Sequence, residues 1–409
     1  MKIFSFLVTI FIAITSLNAQ IDLGLIAYYP FDDQTVLDAT GTASNIGIVS
    51  GDSLGWGCGV SGIAANVGAN TSIQFAGPIS DEFDTEDFTI SFYMKPIPRS
   101  GTMDIFSKRG DCSPEHAFAI RYIGFSNTLN VLLSENDNLS ANISHNLPAG
   151  RCWYHIVVLR RGRTTVLYVD GEFAAERAAT TRVDISNGAS LNISNSPCKF
   201  NTDIPFEGVL DEIRVYNRAI SEEDVMDLYF APDQISNRDN ERIFLGESVD
   251  IEITETCADN FLWTPADDVD DPMSDQPTIT PSEAGIFTYQ VEMIQGFCRA
   301  IDSLRISVVD PATLDCNLIF LPSAFTPNGN GPIDNETYGI SNSEAIQDLV
   351  SFEIFDRWGS AVFSTTDKTA TWDGFFKNQA VNPGVYLYKV TYFCDGEEQI
   401  KAGSLTLIR

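Results

Sequence analysis

Phe88-Thr-Ile-Ser-Phe-Tyr-Met-Lys95 is the stretch on which the fold class turns. Phe88, Ile90, Phe92 and Met94 fall on alternate positions, the two-residue period of a strand that sets one face against a core. A helix would need its apolar residues three and four apart. The same signal returns on the C-terminal side. Trp153 to Arg160, Thr164 to Asp170 and Gly208 to Asn217 all read as strands, and Asp170-Gly171 is a strong two-residue hairpin turn. The helix signal is scarce by comparison. Ser221-Glu-Glu-Asp224 opens one short helix with a capping box, and Val225 and Leu228 lie on its inner face. Many short strands between Gly, Asn and Asp turns imply antiparallel β-sandwiches rather than a parallel sheet.

Beyond this segment, Ala231 to Asn240 is polar, carries Pro232 and reads as a linker. A second β segment is expected over 241–310. There Val249-Asp-Ile-Glu-Ile253 and Ile286 to Met293 alternate, and Trp263 is a candidate core residue. A third segment, 311–409, has strands of its own at Val350 to Phe355, Gly384 to Val390 and Gly403 to Ile408. The expectation is an all-β chain in three parts, 21–232, 241–310 and 311–409.

The 409 residues carry 56 Asp and Glu against 25 Lys and Arg, a net charge of −31. That excess argues against nucleic acid, whose phosphates need a basic face, and against docking on anionic lipid. Three histidines leave little room for histidine-based catalysis or metal sites. Residues 1–19 read as a secretory signal peptide: Lys2 is the positive start, Ile3 to Ile14 is almost wholly apolar, and Ala19 is small. The apolar run falls short of the about 20 residues a membrane span needs. Signal removal therefore leaves a chain expected to have no membrane span and to sit outside the cytoplasm.

Eight cysteines suit an oxidising compartment. Cys58, Cys112, Cys152 and Cys198 fall in the first part, Cys257 and Cys298 in the second, Cys316 and Cys394 in the third. An even count in each part suggests that every bridge closes within its own part: Cys257–Cys298 and Cys316–Cys394. Three pairings stay open in the first part, of which Cys58–Cys198 with Cys112–Cys152 is preferred. None forms a C-x-x-C pair, which disfavours zinc and redox readings.

Several local patterns, taken in order, resemble known families. Leu25-Ile-Ala-Tyr-Tyr-Pro-Phe-Asp32, Asp87 to Pro96, Trp153-Tyr-His-Ile-Val-Val158, Leu167-Tyr-Val-Asp-Gly171 and Phe206-Glu-Gly-Val-Leu-Asp-Glu-Ile-Arg-Val-Tyr-Asn-Arg-Ala-Ile-Ser221 are similar to the laminin-G-like, concanavalin-like jelly rolls of bacterial surface proteins. The middle segment resembles their immunoglobulin- or PKD-like spacers. The last segment resembles the C-terminal sorting domain of type IX secretion substrates, also known as the gliding-motility-associated domain of Bacteroidetes-type bacteria. It has the opening run Phe320 to Gly331 with Phe325, Pro327, Asn328 and Gly329, then Arg357, Trp358 and Gly359, then Trp372, Asp373 and Gly374, then Gly384 and Tyr386, and it closes with Gly403 to Arg409. Its ending is that of the type B subtype. Asn330, Pro332 and Asp334 depart from the family's usual opening motif. The resemblance implies a secreted or surface-held, non-enzymatic adhesin or lectin. Its implied partners are the type IX translocon with surface-attachment components, and an outside glycan or protein ligand. It also implies a structural Ca²⁺ near the opening and closing strands, with Asp32, Asp38 and Asp211 as oxygen donors.

Other readings compete with these. Glu82-Phe-Asp-Thr-Glu86 fits the E-x-D-x-E pattern of concanavalin-fold glucanases, in which two carboxyls hydrolyse a glycosidic bond; the alternative is an acidic turn into the strand at Phe88. Arg109-Gly-Asp111 is an adhesion-type tripeptide, read here as chance. Trp56, Tyr122 and Phe125 are candidates for stacking on sugar rings, Trp358 and Trp372 for packing in the sorting domain. A structural surface protein without a glycan ligand is the third functional class.

Overall fold

A computed structural model describes residues 21–409, apart from positions 43, 82, 199–202, 329–334, 347 and 378. The expected signal peptide, Glu82 and Gly329 lie outside the described residues. The chain forms two compact units. The front unit takes residues up to 239 with 250–279 and 288–305, and the C-terminal unit takes 240–249, 280–287 and 306–409.

Two largely antiparallel sheets build most of the front unit. The first runs, edge to edge, through Glu172–Ala178, Thr164–Val169, Tyr154–Arg161, Phe88–Pro96, Gly208–Tyr216, Ile63–Val67 and Gly55–Cys58, with Leu25–Tyr29 also on Gly208–Tyr216. The second runs through Leu139–Ser140, Thr128–Asn136, Ala117–Ile123, Thr102–Lys108, Asn192–Ile193, Thr71–Ala76 and Ile46–Gly51. Phe88, Ile90, Phe92 and Met94 enter one core with Phe106, Phe118, Ile120 and Ile156, as their alternation requires. The other face of that strand is buried as well, because it is central in its sheet and roofed. Val157, Leu159, Val166 and Tyr168 pack there against Tyr216, Ile220, Val225 and Leu228. The roof is the helix Glu222–Asp227. The Ser221 hydroxyl accepts from Asp224 N (3.1 Å), and the Asp224 carboxylate accepts from Ser221 N (2.9 Å), so two N-terminal amides are satisfied. Burying Val225 and Leu228 stabilises this roof by about 1.5–3 kcal/mol each.

The cysteine pairing departs from expectation in three of four bridges. Cys58 joins Cys257, not Cys198, and Cys152 joins Cys298, not Cys112; Cys257–Cys298 is therefore not formed. A third bridge joins Cys316 to Cys394. The premise of closure within each part fails because 250–279 and 288–305 pack with the jelly roll, which brings Cys257 and Cys298 to the sandwich. The stretch expected as a separate spacer is thus divided between the two units. Within the front unit Asn260–Thr264 pairs with the neighbouring long strand, from Asn260 opposite Ile294 to Thr264 opposite Gln290. Trp263 is buried there, and its indole donates to Ser274 O (3.0 Å). The expected linker is no free tether either. Asp233 N donates to Glu255 O (3.1 Å), Ser236 N to Glu252 O (2.8 Å), and the buried Asp233 carboxylate accepts from the Thr256 hydroxyl (2.6 Å). Polar composition signalled a linker, whereas those polar groups are partners for a neighbouring segment.

In the C-terminal unit a five-stranded sheet runs Ala324–Phe325, Glu397–Leu407, Gly384–Cys394, Asp348–Phe355, Ala361–Thr365. Its core gathers Phe325, Tyr338, Phe352, Trp372 and Tyr386, with Trp372 lying 5.5 Å from Phe325 and 5.2 Å from Tyr386 between ring centres. Trp372 packs as expected. Trp358 does not: it is 81% exposed at a turn, with the Arg357 guanidinium over its ring. The turn itself is fixed by the Asp356 carboxylate, which accepts from Trp358 N and Ser360 N. Arg409 ties down the chain end, donating to Val381 O (3.1 Å) and Gly374 O (2.9 Å).

Candidate ligand-binding cleft

At one end of the strands Thr164–Val169 and Glu172–Ala178 lies the Asp170-Gly171 turn. Its two residues sit at φ +51° and +78°, the left-handed pair that a tight hairpin needs and that Asp-Gly tolerates best. The turn sends the Asp170 carboxylate back to accept from His155 N (2.9 Å). It also lets Tyr229 close over Gly171, where a Cβ would lie 3.1 Å from the ring. Tyr229 is held in turn by Gln234, whose amide donates to the phenol oxygen (2.6 Å). Glu172 and Phe173 lead into the next strand. Phe173 meets Tyr168 edge-on (6.0 Å, 84°) and stays 54% exposed. His145 and Asn146, from the strand Ile143–Asn146, and Arg151 form the remaining wall. These groups enclose a cleft of about 500 Å³.

The cleft is polar at its base and aromatic at its rim. Burial pushes the Asp170 carboxyl up to about 6, against the His155 amide and the Arg151 charge, which both lower it. Arg151 Nη1 is buried with no hydrogen-bond partner. An unpaired buried guanidinium N–H has a strong drive to find an acceptor oxygen. His155, just behind, belongs to the core: its Nε2 meets the Ser91 hydroxyl at 2.9 Å, and burial pushes its pKa down to about 3.

None of the aromatics singled out in the sequence lines this cleft. Tyr122 is buried and donates to Asn127 (2.8 Å), Trp56 packs against the core, and Phe125 is 77% exposed elsewhere. The available signal was Phe173 itself, an aromatic two residues past a confident turn in a strand of small and charged residues.

The three aspartates expected to share a calcium ion are not brought into one ligand set. Asp32 accepts from Ile63 N (3.0 Å). Asp38 accepts from Tyr28 N, Thr40 N, the Thr40 hydroxyl and the Asn45 amide, all at 2.8–3.0 Å. Asp211, fully buried, accepts from Val60 N (2.8 Å), Ser61 N (3.3 Å) and Glu212 N (2.9 Å). Burial, then Glu212, pushes its carboxyl up to about 8. Asp38 and Asp211 each hold a loop through three or more donors, whereas Asp32 accepts one amide. Among the described residues, the group of acidic, histidine or cysteine atoms close enough to share an ion is Cys316, Cys394 and Asp395, of which two are bridged to each other.

The acidic run before Phe88 is a loop, so strand alternation does not align its carboxyls. Glu86 is exposed and pairs with Arg182 (3.3 Å). Arg109 of the adhesion-type tripeptide turns inward, donating to Asp111 O (3.0 Å) and Ser113 O (3.1 Å), so its charge is not presented outward.

Residues 67–226 match the family model of the concanavalin A-like lectin/glucanases superfamily, and residues 319–407 match that of the type IX secretion signal domain. No curated protein matches the chain. Among solved structures, domain 4 of a GH43 extracellular arabinanase from Geobacillus stearothermophilus, in complex with arabinotriose, is 22% identical over 50% of this chain and 97% of its own, with a TM-score of 0.39. The CBM40 of a Ruminococcus gnavus IT-sialidase bound to sialyllactose is 15% identical over 40% and 95%, TM-score 0.35. A botulinum neurotoxin serotype D/C binding domain is 10% identical over 95% of each chain, TM-score 0.44. At these values none of the three informs what this chain binds. No helix among the described residues is long and apolar enough to cross a membrane. The chain carries a concanavalin A-like domain in its front unit and a C-terminal type IX secretion signal domain, which directs it to the cell surface or to the medium.

Proposed function

We propose that the protein is an exported glycan-binding protein that holds a sugar in the cleft beside Phe173, and that it binds without cleaving. The observation that carries this reading is the combination, in one cleft, of an exposed aromatic face with Arg151, Asp170, Glu172 and Gln234. A pyranose offers an apolar C–H face for a ring and vicinal hydroxyls for bidentate hydrogen bonds, so a cleft of this make-up suits it. The Arg151 guanidinium, on the cleft wall, supplies charged donors for sugar hydroxyls. Hydrolysis would need two carboxyls set across a glycosidic bond, and Glu86 is engaged by Arg182 instead. Type IX export brings the cleft to glycans outside the cell. A glycan array probed with the full mature chain tests the reading. Binding is expected, and Phe173→Ala should weaken it at least tenfold while thermal stability holds. Absence of binding to every glycan, or binding indifferent to both Phe173→Ala and Arg151→Met, would refute it.

A further inference from the structure

Six of the eight cysteines are bridged, and the remaining two are neighbours. Cys112 follows the strand Thr102–Lys108 on the loop that Arg109 holds through the Asp111 and Ser113 carbonyls. Its thiol donates to Pro197 O (3.7 Å), the residue beside Cys198, and lies within hydrogen-bonding reach of the Cys198 sulfur. Cys112 is exposed and Cys198 buried behind it. On the Cys198 side, Asn192–Ile193 pairs antiparallel with Ser107 and Phe106, at the end of the strand from which the Cys112 loop departs. The two positions are thus held together by backbone pairing independent of their sulfurs.

We propose that Cys112 and Cys198 form a fourth disulfide when the chain meets a disulfide oxidant on export. The exposed position sets the order of events. The Cys112 thiolate attacks one sulfur of an external disulfide, R–S–S–R, and one R–SH leaves. Cys198 then gives up its proton and attacks the Cys112 sulfur of the mixed disulfide, releasing the second R–SH. Two protein thiols are oxidised to one bridge, and one external disulfide is reduced to two thiols. Arg109 is close enough to favour the Cys198 thiolate, while burial pushes that thiol up to about 11, so the buried sulfur suits the second, intramolecular step rather than the first. The bridge fastens the Cys112 loop to the end of the second sheet.

The test treats the full chain with oxidised glutathione, blocks thiols with iodoacetamide, and maps non-reduced tryptic peptides. Peptide 110–121 is expected to be linked to peptide 183–199 and to separate on reduction. A Cys198→Ser chain, lacking the resolving sulfur, is expected to hold glutathione on Cys112. Recovery of both peptides singly alkylated, either cysteine linked elsewhere, or no glutathione on Cys112 in the variant would overturn the proposal.

Discussion

The bridge Cys152–Cys298 fixes both the stability of the front unit and the position of a cleft wall. Arg151 directly precedes Cys152, and Gly150 O accepts from Ile301 N (2.9 Å), so the segment 148–152 is anchored to 298–301 at two points. Replacing both cysteines by alanine removes the covalent one. The residues are 146 apart, and the chain-entropy relation assigns about 5 kcal/mol to a loop of that length. Cys58–Cys257 already joins the same two regions, but the dependence on length is logarithmic, so its presence changes the figure by only tenths of a kcal/mol. Native bridges deliver about 2–5 kcal/mol in practice, which sets the expected loss at about 3–5 kcal/mol. Amide exchange of the central strand Tyr154–Arg161, measured by mass spectrometry in the full chain, reads the front unit alone. Protection there should fall by between about a hundredfold and a few thousandfold. Glycan affinity should fall with it, since Arg151 loses its anchor. A change in protection below about fivefold would show that the bridge decorates a contact already sufficient without it, and the argument would fail.

Three other expectations follow from single residues. Because His155 is held down to about 3 in the folded chain and returns to about 6.5 when unfolded, its neutral form stabilises the fold above pH 6.5, and that contribution drains away, by up to about 5 kcal/mol, as pH falls towards 3. Asp170, pushed up to about 6, works the other way between pH 4 and 6 and by less, so the readout is the difference between urea curves of wild type and His155→Gln across this range: it should narrow on acidification, and a constant difference would contradict the assignment. Gly171→Ala strains a φ of +78° and crowds Tyr229, costing about 1–2 kcal/mol by thermal melt; glycan binding should suffer more than stability, because the crowded ring lines the cleft. In the C-terminal unit Trp372→Ala should cost about 3–5 kcal/mol and Trp358→Ala under about 0.5, and equal losses in denaturant would mean that their burial has been misjudged.

What could be read in advance was whatever lies within one segment. The alternation at Phe88 to Met94 required a strand, the Asp170-Gly171 pair required a tight turn, and Ser221 with Asp224 required a helix start. Each rests on contacts a few residues apart, and each is present. The site was less legible because its parts come from separate places: His145, Arg151, Phe173 and Tyr229 lie on different segments, and no spacing between them is characteristic. The three aspartates are hard to read for a related reason. A carboxylate that ligates a cation and one that closes a loop by accepting amide N–H bonds look alike in sequence, and in the folded chain Asp38 and Asp211 accept such bonds.

The cysteines show where local reasoning stops. An even count per part carries information only if the parts fold separately, and that was an inference from composition at 231–240. In the folded chain those polar residues bond to 252–256, which sits against the jelly roll, so the supposed boundary is itself an interface. Lys95 makes the same point. It is buried, with its ammonium bonded to Gln295 and lying 4.8 Å from the centre of the Trp153 ring, and burial pushes its pKa down. A charge is tolerated in such a place only when several segments supply partners for it. Trp153, Cys152 and Arg151 are consecutive, so the residues that bury this lysine, bridge to Cys298 and line the cleft form one short run of chain. Covalent and packing anchors converge on the wall that a ligand would meet, which holds that wall of the cleft in place.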